Sequence, residues 1–228
     1  MVNANWWKIE LGGRLPPFGL PGGAEFGSHG RNVTLKNNLR IFLGLSLALV
    51  SSSAMAHPGH SGNHDVVSGF VHPFGGADHI FAMLGIGMWA ALRGQKAVWL
   101  WPLTFVSAMV LGGGLGLAIV SFPSIEPMVL ASTIIIGLAI ASVRDFSVVG
   151  TAFLIAIFGC AHGIAHGVEG GSAAYPWQFV AGFTLATLAL LMFGLGAGWG
   201  LNRASFQGIA RWLGLGMAGW GCLATASV

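Results

Sequence analysis

The sequence predicts an all-α, polytopic membrane protein with six transmembrane helices, and three observations favour this fold class. Hydrophobic residues make up 54% of the chain and charged residues only 7%, whereas an average soluble domain carries about 25% charged residues. The apolar residues form six long segments, each able to cross about 30 Å of hydrocarbon as a helix. The basic residues between these segments lie in alternate connectors, which is typical of a multi-pass protein.

The N-terminal part of the chain is predicted to be absent from the mature protein. A basic segment at 36–40 precedes an apolar run at 41–50 and a small-x-small cleavage site that ends at Ala56. This order is typical of a secretory signal peptide, assigned to 36–56. The alternative is a seventh, uncleaved span, although the apolar run is shorter than the ~20 residues that a span needs. Residues 1–35 are rich in Gly and Pro and are predicted to be a disordered leader, whose origin the sequence leaves open.

Six apolar segments follow and form the predicted transmembrane domain, residues 57–228. Short polar or Gly/Pro-containing turns separate them. The 37 glycines are mostly attributed to close helix packing, since small residues let membrane helices approach each other. Five tryptophans near segment ends are interpreted as interfacial anchors: Trp99, Trp101, Trp177, Trp212 and Trp220. The segments cover 66–92, 97–121, 126–143, 147–168, 177–199 and 206–226.

The connectors predict the orientation of the protein. Cleavage of a signal peptide leaves the mature N-terminus outside, and the connectors alternate from there. The outer connectors 122–125 and 169–176 then contain no Lys or Arg, and all five basic residues of the domain fall inside. The sequence thus predicts a bacterial cytoplasmic (inner) membrane protein with both mature termini in the periplasm. The inner basic residues are Arg93, Lys96, Arg144, Arg203 and Arg211.

The charge and cysteine patterns exclude other classes of protein. The whole net charge of +3 lies in the first 56 residues, so the mature domain offers no basic patch to a nucleic acid. Cys160 and Cys222 lie in apolar runs and imply neither a disulfide framework nor a Cys-type zinc site. No GxxxxGK[ST] motif occurs, so the chain is not itself an ATPase. The oligomeric state stays open, with a homo-oligomer among the options.

The first histidine motif lies in the first apolar segment and runs from His72 to Asp78 and His79. Pro73 biases His72 away from the α region, and Gly75-Gly76 adds looseness, so we expect a broken start with regular helix from about Ala77. Backbone carbonyls freed by such a break can help to hold a cation. Asp78 and His79 diverge by about 100° on a regular helix, so Asp78 is expected to orient an imidazole as a hydrogen-bond acceptor.

The second motif lies in the fourth segment and contains His162, His166 and Glu169. The i, i+4 and i+7 offsets place all three side chains on one helical face. Two imidazoles with a carboxylate suit nickel, cobalt or zinc better than calcium or magnesium. In the predicted topology, His72 and His162 both lie roughly 10 Å below the outer surface. Since buried ionisable groups in a membrane are costly, we predict a metal site of His72, Asp78, His79, His162, His166 and Glu169.

Other candidate residues have weaker support. His57, His60 and His64 follow the cleavage site and either capture metal at the mouth of the path or belong to a plain polar leader. Glu126 is interpreted as a helix N-terminal charge, and both Met83 and Cys160 as packing residues. Hydrogen bonding between helices is the structural alternative for the motif histidines themselves.

Both motifs resemble those of the HupE/UreJ family of nickel and cobalt transporters. The family's HPxxGxDH motif is matched by residues 72–79, and its AHGxE ending by 165–169 with His162 before it. The likeness covers about 57–228, and Met83 falls where the family commonly has methionine. Asp78-His79 is also similar to the HxxxxDH helix of larger nickel/cobalt permeases, at a spacing one residue longer. One departure is that Cys160-Ala161, and not an aromatic residue, precedes His162.

The resemblance implies uptake of nickel or cobalt from the periplasm for a hydrogenase, urease or cobalamin pathway. It implies no enzymatic activity and no prosthetic group, with Ni²⁺ or Co²⁺ as the transported substrate. Protonation of the histidines near pH 5–6 is expected to weaken binding. The alternatives are an intramembrane metalloenzyme, for which no HExxH arrangement occurs, a metal sensor or chaperone, and a haem protein with paired histidines.

Overall fold

The structure is a computed structural model that describes residues 65–118, 125–142, 144–171, 175–203 and 207–226. These described residues form seven α-helices and one 3-10 turn, which confirms the all-α fold class. The turn, His72–Gly75, joins the first two helices. The helices are α1 (Val66–Val71), α2 (Ala77–Arg93), α3 (Ala97–Gly116), α4 (Ile125–Ser142), α5 (Val148–Gly170), α6 (Pro176–Arg203) and α7 (Gln207–Thr225).

Four of the described helices are long and apolar enough to cross a membrane, namely α3, α4, α5 and α6. This confirms a multi-pass membrane protein. Helices α2, with 17 residues, and α7, with 19, are not among these four. The six spans, the leader and the signal peptide therefore stay predictions, and residues 1–64 lie outside the described residues.

The first apolar segment is broken where the sequence predicts, but not in the way it predicts. Gly76 has extended backbone angles (φ −121°, ψ 125°), and α2 begins at Ala77. His72, in contrast, has α-helical angles (φ −51°, ψ −48°), so the expectation that Pro73 keeps it out of the α region is wrong. That restriction is only a bias, and here the His72 ring reaches Glu169 at 3.1 Å from this conformation.

A side-chain cap fixes the start of α1. The Asp65 carboxylate accepts a hydrogen bond from the Ser68 backbone N–H at 2.9 Å. This bond satisfies one of the unpaired N–H groups in the first helical turn. It also lowers the pKa of the Asp65 carboxyl. The short helix α1 therefore has a defined start immediately before the first histidine motif.

Helices α3 and α5 pack with their backbones in direct contact. A Cβ on Gly163 would collide with the carbonyl oxygen of Met109, and a Cβ on Gly167 with that of Gly113. Gly112 lies in the same way against the carbonyl of Cys160. Small residues at membrane helix interfaces permit such an approach. The glycine spacing thus fixes the helix that carries the second motif against α3.

Glycine contacts also join the other principal helix pairs. In the α2–α6 pair, a Cβ on Gly87 would meet the carbonyl of Leu191, and a Cβ on Gly194 that of Leu84. In the α4–α7 pair, Gly137 and Gly214 lie against each other's carbonyls. Packing is therefore the reason for many of the glycines, as the sequence indicates.

The bundle has two chemically different ends. The histidine end contains the start of α2 and the end of α5, where the two motifs lie. The arginine end contains the end of α2 and the start of α5, where Arg93 and Asp145 approach to 3.8 Å. Between these ends along the helices lie fully buried apolar side chains, which we call the apolar layer: Met83, Ile86, Phe105 and Ile155.

Two of the five predicted interfacial tryptophans belong to the core. Trp101 is fully buried, and its indole N–H donates to the carbonyl of Val148 at 2.9 Å. Trp220 is buried against the ring of Phe81, with 5.3 Å between the ring centres. The anchor assignment is wrong for both because a position near a segment end does not reveal which face of the helix the ring occupies. The other three, Trp99, Trp177 and Trp212, are exposed.

Candidate metal centre

The two sequence motifs meet at the histidine end. Their four histidines form what we call the histidine cluster, in which each ring lies near at least one ring of the other motif. Ring centres are 4.5 Å apart for His79 and His166, 4.8 Å for His72 and His166, and 5.6 Å for His79 and His162. Residues separated by more than 80 positions along the chain are thus neighbours. The sequence matched the depth of His72 to that of His162, whereas the structure brings both His72 and His79 to His166.

In the first motif, the carboxylate of Asp78 holds the ring of the next residue. Nδ1 of His79 lies 2.7 Å from Oδ1 of Asp78. Gly76 leaves the space for this pair, because a Cβ there would lie 2.5 Å from Oδ1 of Asp78 and 2.8 Å from Nδ1 of His79. Asp78 and His79 both lie in the first turn of α2, and the missing side chain at Gly76 leaves room for their side chains to turn toward each other.

In the second motif, the same pair forms across one helical turn. Nδ1 of His166 lies 2.8 Å from Oε2 of Glu169, three residues further along α5. The same oxygen lies 3.1 Å from Nε2 of His72, so Glu169 connects both motifs. Residues at i and i+3 are neighbours on a helix surface, which is why this spacing produces the contact.

These hydrogen bonds set the tautomers of the two central rings. An ionised carboxylate can only accept, so Nδ1 of both His79 and His166 carries the proton and donates it. Each neutral ring then has a lone pair on Nε2, and the two Nε2 atoms face each other at 2.5 Å. Two lone pairs repel each other unless a cation lies between them. At this distance a shared proton fits between them, whereas a metal ion bound by both at about 2.1 Å would need the two atoms to separate to about 3 Å or more.

Three histidines could share one metal ion. One nitrogen from each of His72, His79 and His166 lies within 4.8 Å of the others. If two imidazole nitrogens bind one metal ion at about 2.1 Å each, their ring centres lie roughly 4.5 to 6.4 Å apart. The ring centres of the three histidine pairs are spaced by 4.5, 4.8 and 6.1 Å. Asp78 and Glu169 supply two negative charges, which match a divalent cation.

The cluster is graded in exposure from the surface of the bundle inward. Side-chain exposure falls from 50% for Glu169 to 31% for His72, 14% for His79 and 4% for His166. His162 is fully buried. A cation that arrives at the histidine end would therefore meet a carboxylate first and the deepest imidazole last.

His162 differs from the other histidines in its partners. Its Nδ1 lies 2.9 Å from the carbonyl oxygen of Phe158, one turn earlier in α5. Its Nε2 has no hydrogen-bond partner among the described residues. The sequence predicts His162 as part of the site, but the group of three nitrogens within 4.8 Å does not include it. His162 lies beside this group and one helical turn deeper.

Aromatic rings that sequence reasoning missed surround the cluster. The Phe183 ring lies 4.1 Å from that of His166, Phe179 lies 5.5 Å from His72, and Phe105 lies 5.4 Å from His162. Phe179 and Phe183 are one turn apart on α6, but nothing in their sequence context distinguishes them from lipid-facing phenylalanines. Apolar walls lower the local dielectric and strengthen the electrostatic attraction of the carboxylates for a cation.

The remaining candidate residues have simpler surroundings. Met83 is fully buried in the apolar layer, as expected for a packing residue. Glu126 is exposed in the first turn of α4, where the helix dipole favours a negative charge. Cys160 is partly buried and Cys222 is exposed, both as free thiols. The capture candidates His57, His60 and His64 lie outside the described residues.

The helices and the cluster together define a helical multi-pass membrane protein with a carboxylate-supported histidine site inside its bundle. A family model described as HupE / UreJ protein matches residues 45–224, and the chain therefore belongs to the HupE/UreJ family. Protein HupE of Rhizobium leguminosarum bv. viciae is 35% identical over 153 residues, which cover 66% of this chain and 80% of the relative. No solved structure matches the chain.

Proposed function

We propose that this protein takes up nickel or cobalt ions across the cytoplasmic membrane through the histidine cluster. The observation that carries the proposal is the opposed Nε2 pair of His79 and His166, in which each ring is oriented by its own carboxylate. Carboxylate–histidine–metal arrangements of this kind raise ligand basicity and fix the ring orientation. Imidazole is a ligand suited to nickel, cobalt and zinc, and membership of the HupE/UreJ family favours nickel and cobalt.

The proposed topology has six spans. In it, α1, the 3-10 turn and α2 together form the first span, residues 66–93, and α7 forms the last. Signal-peptide cleavage after Ala56 and the basic residues at the arginine end support a periplasmic histidine end. The ion then enters beside Glu169 and His72, and His57, His60 and His64 form a capture segment in front of them. No prosthetic group and no catalytic step are part of this proposal.

The apolar layer favours a carrier mechanism over an open pore. The fully buried side chains of the apolar layer lie between the histidine cluster and the arginine end. A bare divalent cation cannot cross such a layer without a large desolvation penalty. Transport therefore requires a rearrangement that opens a polar path past Phe105 and Ile155.

The test is uptake of radiolabelled nickel and cobalt into proteoliposomes, with wild type compared with His79→Ala and His166→Ala. We expect saturable uptake that falls at least about a hundredfold in both variants, because each removes a direct ligand together with its carboxylate partner's function. Cys222→Ala is the matched control, since it removes an exposed potential metal ligand outside the cluster. Unchanged uptake in correctly inserted His79→Ala protein contradicts the proposal. Tight binding without flux indicates a sensor or metalloenzyme instead.

A further inference from the structure

The four histidines fall into two groups with different partners, and this division rests on distances. His72, His79 and His166 form the compact trio at the exposed side. His162 lies outside the trio, and the structure places it 5.6 Å from the ring centre of His79. That spacing lies within the roughly 4.5 to 6.4 Å expected for two imidazoles that share one metal ion. His79 is therefore placed to bind an ion with either group.

The tautomer of His162 leaves its Nε2 atom available as a metal ligand. A carbonyl oxygen can only accept, so Nδ1 of His162 carries the proton that it donates to Phe158. The lone pair is then on Nε2, which is buried and has no hydrogen-bond partner among the residues described. A buried polar atom without a partner destabilises the fold, because it has lost its hydrogen bonds to water without replacement. A purely structural histidine would be expected to satisfy both nitrogens.

We propose that His162 and His79 form a second, inner ion position, and that the ion passes to it from the trio. This inference rests on the proposed function. It adds the direction in which the ion moves and the order in which the histidines bind it. His79 is common to both positions: its Nε2 holds the ion while His166 and His72 are exchanged for His162. Because Nδ1 of His79 is bound to Asp78, only one His79 nitrogen is available. The two positions are therefore filled alternately by a single ion.

The surroundings of His162 agree with a position that is closed toward the arginine end. The Phe105 ring lies 5.4 Å from the His162 ring, and both residues are fully buried. His162 is one turn of α5, about 6 Å, deeper than His166. An ion at the inner position is therefore no longer beside the exposed carboxylate of Glu169 and lies next to the apolar layer.

Two isosteric variants separate a ligand role from a structural one. His162→Asn retains a side-chain N–H near the position of Nδ1 and can preserve the bond to Phe158. It lacks any atom near Nε2. His162→Gln retains an amide near the position of Nε2. We expect the Asn variant to be folded, with a nickel Kd within about threefold of wild type and uptake at least about tenfold slower. The Gln variant should be less impaired in uptake.

The experiment measures equilibrium nickel binding by the purified full chain and nickel uptake into proteoliposomes, for wild type, both His162 variants and His166→Ala. Wild type is expected to bind one ion per chain, and His166→Ala to lose binding. If His162→Asn weakens binding as much as His166→Ala, the four histidines form one site and the inner position is wrong. Wild-type uptake in His162→Asn also overturns it. A wild-type chain that neither binds nor moves nickel instead refutes the proposed function itself.

Discussion

The two histidine motifs provide the same chemical pair from two different sequence spacings. In α5, His166 and Glu169 are three residues apart on an uninterrupted helix of 23 residues. In the first motif, Asp78 and His79 are adjacent and follow a 3-10 turn and an extended Gly76. The resulting hydrogen bonds, 2.8 and 2.7 Å, are nearly equal. The same hydrogen-bonded pair can therefore form between i and i+3 within a helix or between adjacent residues in the first turn of a helix, if the neighbouring residues leave room.

The segments that carry the two motifs differ in what holds them in place. Helix α5 is fixed by glycine contacts with α3 along much of its length. Helix α1 also packs on α6 through glycines, with Gly69 against the carbonyl of Phe179 and Gly182 against that of Val66. In the irregular segment between α1 and α2, however, a Cβ on Gly75 would meet nothing within 4 Å, and one on Gly76 would meet only side chains of its own motif. We infer that the second motif is the fixed half of the site and the first motif the adjustable half. The ligand that changes partners in the proposed transfer, His79, belongs to the adjustable half.

The largest expected effect comes from a substitution in the contact between α3 and α5, the helix that carries the fixed half. In Gly163→Ala, the new Cβ collides with the Met109 carbonyl and lies 2.7 Å from the backbone nitrogen of Gly113. Backbone atoms cannot move aside cheaply, so α3 and α5 must separate. We expect loss of folded protein, measured as the monodisperse fraction in detergent. Gly196→Ala is the matched control because a Cβ there meets nothing within 4 Å. Folded, active Gly163→Ala protein would show that α5 is not fixed by this contact.

The next largest effect on nickel uptake is expected when either of the two carboxylates is replaced by its amide. Glu169 contacts both His166 and His72, whereas Asp78 contacts His79. We expect Glu169→Gln to slow nickel uptake by about a hundredfold and Asp78→Asn by about tenfold, within the range for residues that orient metal ligands. Uptake rates at saturating nickel measure both.

Asp145→Asn is the control for this charge removal. Asp145 is 91% exposed at the arginine end, and its ion pair with Arg93 at 3.8 Å contributes little. Equal losses in the Glu169 and Asp78 variants would show that Glu169 does not connect the two motifs. An equal loss in the Asp145 variant would show a general effect of charge.

Sequence patterns predicted the parts of this molecule that depend on periodicity and spacing. The helix bounds follow the apolar segments, and the i, i+4 offset of His162 and His166 correctly places both on the buried face of α5. The break before Ala77 follows from Gly75-Gly76. Facts that depend on the opposing helix were not predictable. These include the burial of Trp101, the α conformation of His72 and the aromatic wall of Phe183, because each is decided by contacts between distant segments.

The sequence likewise did not predict that the four histidines divide into a group of three and the deeper His162. Spacing alone places His162, His166 and Glu169 on one face and treats them as equivalent. The structure distinguishes them by exposure and by partners, since Glu169 is half-exposed and His162 is fully buried. Which nitrogen of each ring is engaged depends on acceptors from the same and from neighbouring turns, which a ligand motif does not specify.

The smallest expected effect tests whether the adjustable half depends on the space that Gly76 leaves. Its backbone angles, φ −121° and ψ 125°, suit any residue, so Gly76→Ala is free of backbone strain. The added Cβ would nevertheless lie 2.5 Å from Oδ1 of Asp78, and the hydrogen bond to His79 must shift to relieve that contact. Both side chains can rotate, so we expect normal folding and uptake reduced about threefold to tenfold.

Gly75→Ala is the adjacent control, because a Cβ there meets nothing within 4 Å. It makes the same chemical change in the same irregular segment without reaching the carboxylate. Equal, small effects of the two variants would show that the Asp78–His79 pair does not depend on Gly76. A loss confined to Gly76→Ala, with Asp78→Asn and Gly76→Ala together no slower than Asp78→Asn alone, would show that the glycine acts through this hydrogen bond. The missing side chain at Gly76 would then be a requirement for the Asp78–His79 hydrogen bond at the start of α2.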